Sequence, residues 1–252
     1  VAVTAHSYAV VVPTVGRPSL GVLLTSIAES QGDLPDHVVV VDDRGRPAGL
    51  PPFPARLAGR VSVRRSGGRG PAAARNVGWR SVPTTCEWVV FLDDDVLVGD
   101  DWLTAVRADL DQPVDVAGVQ GRISVPLPAA RRPTDWERAT AGLQTAAWIT
   151  ADMAYRRRAL EQVSGFDERF PRAFREDADL ALRIQRTGAR LMRGRRRTTH
   201  PVRPADRWVS VRVQAGNADD PLMRRLHGRE WRRLAAAPRG RRPEHLLVTA
   251  AA

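Results

Sequence analysis

The chain has 252 residues, 43% of them hydrophobic and 27% charged, which is enough to bury a substantial core in one large domain or one and a half. No apolar run approaches the roughly 20 residues of a membrane-spanning helix, and the N-terminus lacks a basic-then-apolar leader pattern. The formal net charge is +11 and all 39 basic residues are arginine; a lysine-free chain has no Walker A loop, Schiff-base lysine or lysine-activated nucleotidyl transfer site, and the single Cys86 excludes an internal disulfide and a Cys-based zinc site.

Tyr8 to Val12 is a continuous apolar, β-branched run stopped by Pro13, and Leu20 to Ser30 has helical spacing behind Pro18 and Ser19, so the two form a βα unit. A second buried strand, 37–41, ends at Asp42 and Asp43. A short strand at 61–64 leads through the turn SGGRG to a helix opened by Pro71, a position where proline is tolerated. The strand EWVVFL, 87–92, follows, and a helix beginning near Asp100 and Asp101 is expected to carry these acids in its first turn. Continuous apolar strands separated by helices indicate an α/β fold with a parallel sheet covered on both faces. Cys86 reads as a small apolar residue leading into its strand.

Ligands of such sheets bind beyond the carboxyl ends of the strands. Pro13, Thr14 and Arg17 follow the first strand, Asp42 and Asp43 the second, and Asp93, Asp94 and Asp95 the fourth. Five carboxylates expected at one edge repel one another unless a cation lies between them, and hard oxygen ligands suit Mg2+ or Mn2+. Singly, any of these aspartates reads more readily as a helix cap or strand terminator; their joint placement at strand ends favours a site. The C-terminal arginine clusters, such as RRR at 156–158 and RGRRR at 193–197, fit either acidic partners or a solvated face.

The ordered segments PTVGR (13–17), VVVVDD (38–43), GRGPAAARNVGWR (68–80), FLDDDV (91–96) and FREDADLALR (174–183) resemble the family 2 inverting glycosyltransferases of GT-A fold over roughly residues 8–200. That resemblance implies a Rossmann-like, mostly parallel central sheet with a smaller acceptor-side subregion. It also implies a nucleotide-diphosphate sugar donor, with a UDP-sugar as the first expectation, a divalent metal on the diphosphate, and transfer with inversion. On the family pattern Asp95 is the direct metal ligand and Asp93 reaches the metal or the ribose. Asp94 is placed in the donor site without a settled role. Asp42 or Asp43 accepts a hydrogen bond from the base, with Pro13, Thr14 and Arg17 against the nucleotide. The SGGRG turn and Arg75 face the phosphates or base, or else Arg75 and Asn76 pin their helix to neighbouring loops; both readings stand.

Glu176, Asp177 and Asp179 open an amphipathic helix whose Leu180, Leu182 and Ile184 can pack inward, and an acid cluster there also suits the helix dipole. The resemblance assigns the general base to Asp177, with Glu176 in reserve, and Arg183 is expected to pair with one of these acids. His200 follows a short strand and, on the fold's pattern, stands as a third metal ligand or as a structural histidine. Residues 123–205 are expected to form the acceptor half and 8–122 the donor half of a 1–205 domain, with Trp148, Thr150 and Asp152 as candidate sugar contacts or else ordinary packing residues, the latter being the preferred reading of Trp148 taken alone. Residues 206–252 read as a helical extension and mobile tail, and HPVRPADRW and QAGNADDPLMRRLHG resemble bacterial chains in which such a transferase precedes a haloacid-dehalogenase-type phosphatase. A cytoplasmic enzyme of cell-envelope polysaccharide or glycoconjugate synthesis, at most peripheral on an anionic membrane face, with a carbohydrate or lipid-linked acceptor, is the resulting expectation. The alternatives are a sugar-phosphate nucleotidyltransferase, opposed by PTVGRPS where a glycine-rich loop belongs, and a nucleic-acid-binding module, whose phosphates the carboxylates would repel.

Overall fold

The computed structural model describes residues 6–46, 48–206 and 208–237. In chain order the strands are β1 (Tyr8–Thr14), β2 (His37–Asp42), β3 (Val61–Arg65), β4 (Trp88–Leu92), β5 (Leu97–Val98), β6 (Val116–Ser124), β7 (Asp152–Arg156) and β8 (Arg190–Thr199). They form one sheet in the order β3-β2-β1-β4-β7-β6-β8-β5. The helices are α1 (Ser19–Glu29), α2 (Pro71–Ser81), α3 (Trp102–Leu110), α4 (Asp135–Ala141), α5 (Arg157–Gln162), α6 (Glu176–Arg186), α7 (Val209–Val213), α8 (Asp220–His227) and α9 (Trp231–Leu234).

The two-residue period of the strands divides the core. Val10, Val12, Val38, Val40 and Val90 pack with α1 and α3 on one face, while Ala9, Val11, Val39, Val41 and Phe91 pack with α2, α5 and α6 on the other. That is why these strands read as unbroken apolar runs. Pro71 opens α2, Leu180 and Ile184 are fully buried, and Cys86 is buried at the entrance to β4.

The sheet is mostly parallel, as the resemblance implies, but not wholly parallel as the apolar runs alone suggest: β1, β2, β3 and β4 are parallel, whereas β7 runs antiparallel to both β4 and β6. A short, fully buried strand looks the same in sequence whichever way it runs. Helix α3 begins at Trp102, so Asp100 and Asp101 precede its first turn. The short strand expected before His200 is ten residues long, and its alternation turns Arg196 fully inward, so the arginine run there is not simply a solvated face. Arg196 is bonded to Asp109 and Asp152 (2.9 and 2.7 Å), a buried charge satisfied by opposite charges. The expected tail after residue 237 lies outside the described residues. Among the described residues no helix is long and apolar enough to cross a membrane.

Candidate active site

Parallel pairing of β1 with β4 places Thr14 and the aspartates of FLDDDV at the same end of the sheet. Asp94, buried, accepts from Thr14 Oγ1 and from Arg17 Nη1, both at 2.6 Å, so its two oxygens tie the PTVGR segment to β4. Beside it opens a cavity of about 200 Å3 whose lining includes Pro13, Thr14, Arg17, Asp43, Arg75, Asp93, Asp95 and His200.

The last two of these stand together because β5, directly after the aspartates, pairs antiparallel with the end of β8, Leu97 opposite Thr199. Asp93, Asp95 and His200 each offer a ligand atom, all within 4.8 Å of one another. The histidine Nδ1 lies 3.1 Å from the carbonyl of Pro201. A carbonyl only accepts, so Nδ1 carries the hydrogen and in the neutral ring the Nε2 lone pair faces Asp95 Oδ1 at 3.6 Å. Two acceptors facing each other call for a cation, and two carboxylates with an imidazole suit a divalent metal. Burial, and then the charge of Asp93, holds the Asp95 carboxyl above its usual range. Arg203, bonded to Asp95 Oδ2 at 2.9 Å, sets a positive charge against that rise.

A second cavity, about 290 Å3, shares Arg75, Asp93 and Ala173 with the first and reaches Glu176 and Asp177. Arg75, held by α2, is the joint: its guanidinium bonds Asp93 Oδ1 at 3.0 Å and Glu176 Oε1 at 2.8 Å, with Asp177 Oδ1 at 3.8 Å. The two acids differ in access, for the Glu176 side chain is 3% exposed and that of Asp177 20%. Asp177 is oriented by the backbone N–H and hydroxyl of Thr150, at 3.0 and 2.9 Å. Burial followed by the neighbouring Asp177 charge pushes Glu176 up to about 8. Asp177 is raised as well, chiefly by burial, against the pull of Arg75 and Thr150.

Several expected site residues lie elsewhere. Asp42, at the end of β2, is buried, and its carboxylate takes the Arg44 side chain at 2.7 and 2.8 Å; it does not line the cavity, whereas Asp43 does. Asp43 in turn accepts from the N–H groups of Arg69 and Gly70 (3.0 and 2.9 Å), so two amides of the SGGRG turn are already bonded within the protein. Asp152 is fully buried: Trp102 Nε1, Arg196 Nε and Thr198 Oγ1 surround its carboxylate, which leaves it no path to a sugar. Asn76 takes its structural reading, joining α2 to the loop at Phe166 and Glu168. Trp148, with a φ of 62°, packs against the core, and Thr150 holds Asp177. Arg183 pairs with Asp179 at 2.7 Å. Sequence reasoning missed Arg203, whose signal was only its position three residues after His200.

Solved structures place this architecture in the GT-A class. Over 99% of the chain, the mannosyltransferase PcManGT from Pyrobaculum calidifontis, in complex with GDP-Man and Mn2+, is similar with a TM-score of 0.59 at 22% identity. GalNAc-T7, with UDP, GalNAc and Mn2+, is similar over 79% with a TM-score of 0.58 at 15% identity. S. aureus TarS residues 1–349 is similar over 77% with a TM-score of 0.50 at 18% identity. The chain spans 81% of the PcManGT chain, 44% of GalNAc-T7, 57% of TarS 1–349 and 35% of a longer TarS chain. No curated protein sequence matches it significantly. The profile of glycosyl transferase family 2 matches residues 9–179, more than half of the chain, which therefore belongs to that family.

Proposed function

We propose that the chain is a divalent-metal-dependent, inverting transferase that moves a sugar from a nucleotide-diphosphate sugar to an acceptor hydroxyl, with Asp177 as general base. The observation that carries this reading is the single guanidinium of Arg75, bonded at once to Asp93 in the strand-end cavity and to Glu176 in the neighbouring one. A donor in the first cavity and an acceptor in the second would meet beside it. The acceptor hydroxyl gives its proton to the Asp177 carboxylate while its oxygen bonds to the anomeric carbon. The bond from that carbon to the diphosphate oxygen breaks on the opposite face, and the diphosphate leaves with the electron pair. Arg17 and Arg203, which line the donor cavity, are paired with Asp94 and Asp95 and so offset the repulsion between those carboxylates and the leaving diphosphate. Asp93, Asp95 and His200 would hold Mn2+ or Mg2+, which supplies Lewis-acid stabilisation of the diphosphate. The bound GDP-Man and UDP of the two similar structures support a nucleotide donor and make UDP- and GDP-sugars the first to test.

Thermal unfolding with a panel of nucleotide sugars, with and without Mn2+, tests this. A donor at 100 times its Kd stabilises by about 2.7 kcal/mol, and we expect that shift only when metal is present. Asp95→Asn should abolish the metal-dependent part. No shift with any nucleotide sugar, or an equal shift in the presence of a chelator, overturns the proposal.

A further inference from the structure

The cavity beside Asp177 is polar chiefly at the end it shares with the donor side, where Arg75, Asp93, Glu176 and Asp177 gather. Away from that end the lining is mostly apolar: Leu143, Ala146, Ala147 and Ile149 line it from one segment, with Thr145 as the one polar side chain among them, and Phe174, Ala178 and the three alanines 235–237 line it from others. A bare sugar enclosed there would leave hydroxyls without partners, a costly form of burial. An anionic acceptor fares no better, because both cations lining the cavity among the described residues are committed. Arg75 is held by Asp93 and Glu176. Arg175 is bonded to Asp220 at 2.9 Å and lies 4.1 Å over Phe174 and 4.9 Å over Trp231.

The alanine wall is anchored. Trp231 is buried against Phe170, Leu182 and Met223, and Asp220 bonds Arg232 as well as Arg175. His227 Nε2 meets Asp179 Oδ1 at 2.8 Å, both fully buried, two positions along α6 from Asp177. Residues 220–237 are thereby locked onto the helix that presents the base, and they lie beyond the family match, which ends at residue 179.

From this lining we infer that the acceptor is a neutral molecule whose reacting hydroxyl is carried on an apolar body, and that this body fills the space between residues 143–149 and the wall at 235–237. The inference rests on the assignment of Asp177 as base: the hydroxyl lies at the polar end, loses its proton to Asp177 and bonds to the anomeric carbon as the diphosphate departs.

The test is calorimetric binding of octyl β-glucoside, methyl β-glucoside, octanol and octyl phosphate, below their micelle concentrations. It uses the full chain saturated with Mn2+ and the nucleoside diphosphate that stabilises it. Octyl β-glucoside should bind at least about 10-fold tighter than methyl β-glucoside, the scale of two buried methylenes. Octanol should bind better than octyl phosphate. Ala147→Phe, and from the other wall Ala237→Phe, should each erase most of the octyl preference while leaving nucleoside diphosphate affinity unchanged. Equal binding of the two glucosides, tighter binding of the phosphate, or a preference that survives in both variants overturns the inference. Failure of any nucleoside diphosphate to bind would refute the donor reading alone; the same titration without nucleotide still decides the acceptor class.

Discussion

The proposed general base, Asp177, must be ionised before it can take a proton, and its surroundings resist that. Asp93, Glu176 and Asp177 share one guanidinium, so their combined negative charge exceeds what Arg75 neutralises, and burial favours keeping a proton on the Glu176–Asp177 pair. Activity should therefore rise with pH through the raised range, near the value of about 8 to which Glu176 is pushed. Glu176→Gln, which removes the like charge, should move that ascending limb to lower pH in a pH–rate profile. Stability runs the other way. A carboxyl raised on folding stabilises fully below its ordinary value of 4.5, and the contribution is lost as pH climbs to about 8; thermal melts across that window should fall less steeply in Glu176→Gln. Asp177→Asn should lower turnover by roughly 100-fold or more. Because Asp177 does not line the donor cavity, nucleotide affinity should hold, and a matching loss of donor binding would assign Asp177 to the donor site instead.

Helix α2 shows how an element positions chemistry at a distance. It lies close enough on the sheet that a Cβ on Gly78 would stand 2.3 Å from Val11 Cγ1 and 3.2 Å from Val41 Cγ2. Gly78→Ala must lift the helix or displace both valines, at about 1–3 kcal/mol by urea denaturation, despite alanine's better helix propensity. Since α2 also carries Arg75, the same variant should lose activity. At its N-terminus Gly70, with φ 93° and no room for a Cβ beside the carbonyl of Pro171, brings the glycine turn against the loop that precedes α6. Proline, glycine and the alanine run announced this helix in sequence; its closeness to β1 and β2 was not announced, because that depends on side chains from three separate segments.

Across the molecule, the segment from Gly216 to Ala237 returns over the chain and packs against the loop and helix that hold Glu176 and Asp177. Trp231 is its apolar anchor, and Trp231→Ala should cost about 3–5 kcal/mol by thermal or urea unfolding. The cavity beside Asp177 should suffer more than the strand-end cavity, so nucleotide binding, proposed for the latter, is the internal control. Elsewhere, the Arg196–Asp109–Asp152 network joins α3, β7 and β8 inside the fold. A run of arginines in sequence gives no sign that one of them is a core residue, because the distinction rests on the inward face of a strand and on two distant aspartates.

The sequence alone determined β1 to β4, α1 and α2, the acids at the strand ends and the acid pair opening α6. Those features are written locally, in apolar periodicity, proline and glycine placement and the ordered motifs. Only the tertiary structure decided which acids face the cavities. Asp43 lines one and Asp42 does not; Asp94 is tied to Thr14 and Arg17; Asp152 is enclosed by Arg196. Neighbouring carboxylates are equivalent to a sequence pattern, but a strand end turns them in different directions, and partners far along the chain settle which remain free. The bridge from Arg75 to Glu176 and the alanine wall beyond residue 234 are long-range for the same reason: they exist only once separate elements have packed together.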